Sequence, residues 1–319
     1  MLDDIRNSIQ DELDAVFTQM IDATQSSIPL VNVIGEYAMN QPGRKMIRPM
    51  MILLFAQALN YQHPSVNKLA TIIELIHSAT LLHDDVIDHA NVRRSHLTTH
   101  KAFSGTQAIL MGDFIYAAAF KLISELETPT VTQILAKATG EIVEGEILQL
   151  SLQNQASVSL QQYNHIIRAK TALLFSTGAA CIHALSRSST QGNALHDYAL
   201  HFGMLYQMTD DILDIDAENT KLNKAHGTDL SEGKMTLPTI IAYQHASKTE
   251  QQTIEQILSL EQPWQNILPI LERTQALQHC QIHLDQHLQK GLNALTHLPD
   301  SSAKSHLINL IKTIPNRKR

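Results

Sequence analysis

The chain has little of what breaks a sequence into strands and tight turns. Its 319 residues include only 12 glycines and 10 prolines, too little punctuation for an all-β fold. Cysteine is scarcer. Cys181 and Cys280 stand alone, with no CxxC spacing, as expected for reduced thiols in a cytoplasmic protein. No run approaches the ~18 uninterrupted apolar residues of a membrane span, so none is expected. There is no basic excess either: the net charge is −7, against a nucleic-acid binder, which would carry a basic surface. The start, MLDDIRNSIQDELDAVF, is acidic and amphipathic, unlike a signal or transit peptide. No Pro/Gly/Ser-rich linker or shift in composition divides the chain, so residues 1–319 are expected to form a single all-α domain.

What the chain does have is apolar content at helical spacing. It is 44% hydrophobic, ample for a buried core. Apolar residues recur as on one helix face, for example Leu69, Ile72, Ile73 and Ile76, or Phe202, Leu205, Tyr206 and Ile212. About a dozen helices are expected, broken at YQHPSVN (61–67), SLQNQASVS (151–159) and SRSSTQGN (187–194). A longer irregular segment, 216–238, has the length of a functional loop.

Two short stretches do not fit a plain apolar helix. LLHDDVIDHANVRR (81–94) carries Asp84, Asp85 and Asp88, and QMTDDILDID (207–216) repeats the pattern at Asp210, Asp211 and Asp214. On a helix, positions i and i+4 share a face about 6 Å apart along the axis. Asp84 and Asp88 therefore point one way, as do Asp210 and Asp214, and each pair of like charges destabilises its helix. Mg²⁺ would repay that cost, since it prefers one or two carboxylates completed by water and substrate phosphate. The plainer alternative is exposed helix ends, but each run follows an apolar stretch that should carry it inward.

Basic residues indicate what such metals would hold. GRKMIRP (43–49) reads as a turn opening a helix, with Pro49 at its first position. Lys45, Arg48 and the free N–H groups there suit a phosphate. Arg93 and Arg94 are expected about one turn beyond Asp88, and Lys170, Thr171, Lys224 and Lys234 follow in the second half. Individually these are ordinary surface groups; with two metal-binding faces they describe a pocket for two diphosphates. His77 lies seven residues before Asp84 and shares its face. His83 and Asp84 mimic the ligand pair of an HD phosphohydrolase, a reading that leaves the second run without a task. The basic end, NRKR, is expected to be solvated, with membrane-surface contact as the alternative.

Taken in order, GRKMIRP, HSATLLHDDVIDHANVRR, GDFIY, EGEILQL, AKTALLF, QMTDDILD and GTDLSEGKMTLP resemble the trans-prenyl diphosphate synthases, most of all the bacterial octaprenyl type, from Ile34 to Pro238. The resemblance implies an isoprenoid-synthase helical bundle around a central cavity, a homodimer, and three Mg²⁺ ions between the aspartate runs and an allylic diphosphate. Asp84 and Asp88 would hold two ions and Asp210, with its neighbours Asp211 and Asp214, the third; Asp85 belongs to the same catalytic set. Arg93, Lys170, Thr171, Gln207, Lys224 and Lys234 would face the allylic substrate. Lys45, Arg48, His77 and Arg94 would hold isopentenyl diphosphate. The metals would neutralise the leaving diphosphate, and the double bond of isopentenyl diphosphate would attack the resulting cation.

The chain departs from the family pattern GGKR[IL]RP at Arg44 and Met46, and has Asn223 where Gly is usual. Ala79, with Thr80 and Ile76, lies where short-chain relatives often carry an aromatic floor. A long product of about eight isoprene units, the side chain of a respiratory quinone, is therefore expected, with transient membrane contact on product release. The alternatives are a short-chain (farnesyl or geranylgeranyl) synthase, a terpene cyclase, or a non-catalytic partner subunit of a heterodimeric synthase.

Overall fold

The computed structural model describes residues 2–41, 43–187, 192–215 and 227–317. In chain order the helices are α1 (Leu2–Asn7), α2 (Gln10–Ala23), α3 (Pro29–Met39), α4 (Ile47–Ala58), α5 (Ser65–Ile87), α6 (Thr99–Ala102), α7 (Gly105–Ser124), α8 (Pro129–Ser151), α9 (Leu160–Ile167), α10 (Leu173–Ser186) and α11 (Gly192–Ile215). They continue as α12 (Thr228–Ser231), α13 (Leu237–His245), α14 (Lys248–Leu258), α15 (Leu268–Arg273), α16 (Ala276–Ala294) and α17 (Ser302–Thr313). Between α9 and α10, residues Arg168–Ala172 form a turn of π-helix. The only sheet among the described residues is a hairpin of β1 (Val92–Arg93) and β2 (His96–Leu97). At 77% helix the protein is all-α, in more and shorter pieces than the dozen expected.

The chain divides into two compact units. The first comprises Met1–Ala136, Thr177–Gly192 and Pro299–Leu307; the second comprises Lys137–Ser176, Asn193–Leu298 and Ile308–Arg319. The first is organised on α5, which packs against α2, α4 and α7. Leu69, Ile72, Ile73 and Ile76 are buried as their spacing requires, each contributing about 1.5–3 kcal/mol of apolar burial. By length and composition alone α7 could cross a membrane, a feature the search for unbroken apolar runs passed over. It lies along α5, and 44% of its apolar window is buried inside the protein.

In the second unit α11 supplies an aromatic stripe at i, i+4 spacing, Tyr198, Phe202 and Tyr206, against which Phe175 packs edge-on, 5.2 Å from the Phe202 ring centroid. Four residues beyond Tyr206 the same helix carries Asp210, so the stripe that anchors α11 also aims the second aspartate run. Both cysteines are free and buried.

Candidate active site

The first aspartate run sits where α5 ends. Asp84 and Asp85 lie in its last turn, and Asp88 is the capping residue, its backbone N–H donating to the Asp84 carbonyl at 2.8 Å. The C-terminal end of a helix carries partial negative charge, so carboxylates stacked there are doubly unfavourable without a cation. Asp85 is different: it is 3% exposed and accepts a 2.7 Å bond from Arg93 Nε. Burial pushes its pKa up and the guanidinium opposes this. Arg93 belongs to β1 and Arg94 to the hairpin turn, with φ of 52°. Neither extends α5, as their spacing had suggested, because the helix stops at Ile87.

Around this end of α5 lies a cluster of positive charge. His77 is driven well below its usual pKa, by burial first and then by the charges of Arg48, Arg44, Arg93 and Arg94, so four guanidiniums act on one neutral imidazole. Arg44 donates to Glu74 at 3.0 Å and to Ser78 at 2.9 Å. The arginine at a position where the family has glycine is thus spent on an internal ion pair. With Asp85, Arg93 and Arg94 it lines a cavity of about 30 Å³. Lys45 is exposed and Arg48 half-buried. Pro49 is the third residue of α4 rather than the first, since Met46, in the left-handed region, caps the helix. Ala79 and Ile76 are buried, and Thr80 is half-buried with its hydroxyl donating to the His77 carbonyl at 2.9 Å.

The second run is built on close helix contacts. A Cβ at Gly145 of α8 would collide with Ala169, and one at Gly203 of α11 with the Ala172 backbone. Two glycines facing two alanines thus let α8 and α11 close on the π-turn. That turn carries Lys170 and Thr171, consistent with the frequent use of π-bulges at functional sites. Lys170 Nζ lies 2.6 Å from Glu146 and donates to Gln149 at 3.1 Å. Thr171 Oγ1 donates to Gln207 Oε1 at 2.7 Å, Gln207 Nε2 donates to Asp211 Oδ1 at 2.8 Å, and Tyr163 OH donates to Asp211 Oδ2 at 2.6 Å. These four side chains line a cavity of about 150 Å³ together with Lys170 and Lys234. Lys234 pairs with Glu232 at 2.8 Å.

Asp210 is 37% exposed and lies 3.1 Å from Arg317, whose guanidinium also sits 4.2 Å from the Tyr206 ring centroid. The basic end is therefore not simply solvated; its first arginine is tied to the second run. Asp214 Oδ2 accepts the Asp229 N–H at 3.1 Å. Lys224 and Asn223 lie outside the described residues, as does the 216–226 part of the long segment.

The donor set suits a hard divalent cation. Burial, with the charges of Asp210 and Asp214, pushes Asp211 up to about 7 against the hydrogen bonds from Tyr163 and Gln207. Burial and then Asp211 and Asp214 raise Asp229 well above the carboxylate range. Among the described residues no three His, Cys, Asp or Glu side chains form a group able to hold a metal by themselves. The carboxylate oxygens of the two runs are the donor type that Mg²⁺ takes, its shell being completed by water and phosphate. Asp84, Asp88, Asp210 and Asp214 are the residues that would hold it. Sequence reasoning passed over Tyr163, two helical turns before Lys170, and Asp229, inside the GTDLSEGKMTLP motif. Glu146 and Gln149 lie inside the EGEILQL motif and Arg317 in the NRKR end, but the partners they meet depend on the fold.

Comparison with known proteins follows the same lines. The sequence model described as Polyprenyl synthetase matches residues 28–268. The chain is 33% identical over 313 residues to the octaprenyl diphosphate synthase of Haemophilus influenzae, covering 97% of this chain and 95% of that one. Among solved structures it is similar to a decaprenyl diphosphate synthase from Rhodobacter capsulatus, with TM-score 0.94, 28% identity and full coverage of both chains. It is also similar to a polyprenyl synthase from Caulobacter crescentus complexed with calcium and isoprenyl diphosphate, with TM-score 0.91, 30% identity, and coverage of 100% of this chain and 98% of that one.

Proposed function

This chain belongs to the polyprenyl synthetase family and is a trans-prenyltransferase of the long-chain kind, and from that premise we propose that it adds isopentenyl diphosphate repeatedly to an allylic, farnesyl-type diphosphate with Mg²⁺. The observation that carries this is the doubled half-site. Each unit presents i, i+4 aspartates next to cations able to grip a diphosphate: the arginine cluster in the first, Lys170 and Lys234 in the second. The calcium and isoprenyl diphosphate of the Caulobacter protein support the choice of ligands.

Mg²⁺ bound at Asp84, Asp88, Asp210 and Asp214 would offset the charge on the leaving diphosphate and lower the barrier to allylic C–O cleavage. Arg48 and Arg94, whose charges act on His77, orient isopentenyl diphosphate together with Lys45, and His77 stays neutral. Arg93, Lys170, Lys224 and Lys234 contact the allylic diphosphate. Thr171, held by Gln207, turns its hydroxyl oxygen toward the carbon that becomes cationic. Ala79, Ile76 and Thr80 set product length, because a small residue at position 79 leaves room beside α5. We place the product at about eight isoprene units, for a quinone side chain; the octaprenyl relative supports that length.

A homodimer belongs to the same proposal. It is supported by Leu110 and Phe120 on α7, exposed at 61% and 52%, and by the exposed stripe Val143, Ile147 and Leu150 on α8. A cytoplasmic location is supported by the two free, buried thiols. A single functional domain is supported by the division between units falling inside continuous helices such as α8 and α17.

The test is to incubate the purified chain with farnesyl and isopentenyl diphosphates and Mg²⁺ and to separate the products by chromatography. Products of roughly eight units are expected. Products that stop at three or four units support the short-chain reading. No incorporation by the single chain supports a partner subunit.

A further inference from the structure

The hydrogen bonds on Asp211 have a direction, and that direction can be followed to the cavity wall. Tyr163 is 3% exposed, and its hydroxyl meets Asp211 Oδ2. A phenol that keeps its proton beside a carboxylate donates, and the 2.6 Å distance is that of a strong bond. On the other side Asp211 Oδ1 accepts from Gln207 Nε2 at 2.8 Å, so the amide presents its NH₂ group to the carboxyl. With the amide so turned, its carbonyl oxygen faces Thr171. A carbonyl cannot donate, so the Thr171 hydroxyl must, at 2.7 Å. A hydroxyl has one proton and two lone pairs. With the proton committed to Gln207, Thr171 offers lone pairs to the cavity that it lines.

Allylic ionisation breaks the C–O bond, the electron pair leaves with the diphosphate oxygen, and positive charge remains on the allylic carbons. A hydroxyl aimed by its proton would repel that charge; one aimed by its lone pairs attracts it. We propose that Tyr163 is a positioning residue for the reaction: through Asp211 and Gln207 it fixes the Thr171 hydroxyl with its lone pairs toward the cavity, where they stabilise the cationic carbon. The inference rests on the proposed function, since it takes the 150 Å³ cavity to hold the allylic substrate. Tyr163 also lines that cavity, but its hydroxyl is committed to Asp211, so it acts through the carboxyl. The relay through it and Gln207 lies wholly within the second unit and leaves the first aspartate run untouched.

Calorimetric binding with Mg²⁺ separates this role from a merely structural one. Two allylic analogues of equal length are compared: a thiolodiphosphate with an uncharged carbon chain, and an ammonium analogue with a protonated nitrogen at the carbon that becomes cationic. Wild type should prefer the ammonium analogue. Tyr163→Phe, which removes a single oxygen, should weaken the ammonium analogue about tenfold and the uncharged one less than about twofold. Thr171→Val should show the same selective loss, and the double variant no further loss, because the two residues act through one chain. Gln207→Leu breaks the relay one link nearer the cavity and should behave alike, which keeps the test open if Tyr163→Phe folds poorly. In steady state kcat should fall while KM for isopentenyl diphosphate holds. Equal loss for both analogues, or none for the ammonium compound, overturns the assignment. If wild type binds neither analogue, the proposed function itself fails.

Discussion

The two aspartate runs share one spacing and are neutralised in opposite ways. In the first, the buried middle carboxylate, Asp85, meets a guanidinium at 2.7 Å, and four arginines act on the nearby His77. In the second, the buried middle carboxylate, Asp211, meets only neutral donors, Tyr163 and Gln207, and is pushed up to about 7. The first run comes with its own positive charge and can receive a diphosphate directly. The second meets its nearest guanidinium at the outer carboxylate, Arg317 on Asp210, and leaves the middle one to neutral donors. A repeated motif therefore does not mean a repeated environment, and the same substitution in the two runs should break different things.

The largest effect should come from the outer carboxylates. Asp84→Asn and Asp210→Asn should each lower turnover about a hundredfold or more, since charge developing on the leaving group loses a stabilising partner. Thermal unfolding should change little, because both side chains are partly exposed. Steady-state rates beside a melting curve check both statements.

The comparison is sharpened by removing the cation that meets the buried middle carboxylate of the first run. Arg93→Gln leaves the Asp85 carboxylate buried without its partner and should cost about 3 kcal/mol of stability, read from denaturant unfolding. Tyr163→Phe in the second run removes only a neutral donor and should cost nearer 1 kcal/mol.

A smaller effect follows from the raised pKa of Asp211. A carboxyl whose folded pKa lies above its unfolded value of 3.8 favours the fold while protonated, so its contribution is complete at low pH and is lost as pH rises through about 7. In EDTA the melting temperature of wild type should therefore fall more between pH 5 and pH 8 than that of Asp211→Asn, as scanning calorimetry would show. Equal slopes would mean that Asp211 ionises freely in the fold.

Ala79→Tyr should affect turnover least. It lies on the helix of the first run but more than one turn from Asp84, so condensation should continue while the product shortens to about three or four units. Position 79 is fully buried, and overpacking should lower stability by about 1–3 kcal/mol, so the product profile is best taken well below the melting temperature. An unchanged distribution would sink the length assignment.

The elements legible in the sequence were those whose cause is local. The apolar stripe of α5 and the i, i+4 aspartates follow from helix periodicity alone, and so did the breaks before α5 and after α8. What could not be read depended on distant residues. The π-turn at Arg168–Ala172 exists where Gly145 and Gly203, on other helices, admit close approach. Nothing near Arg317 indicates that Asp210 lies within reach, and nothing near Arg93 separates a hairpin from one more helical turn. Tyr163 carries no local sign of its role, because its partner, Asp211, lies 48 residues away.

The account rests most on Mg²⁺ serving both runs. Metal-stripped protein given farnesyl and isopentenyl diphosphates should condense nothing in EDTA, keep its far-ultraviolet circular dichroism unchanged, and recover full turnover when Mg²⁺ is restored. Condensation at full rate in EDTA would contradict the central claim.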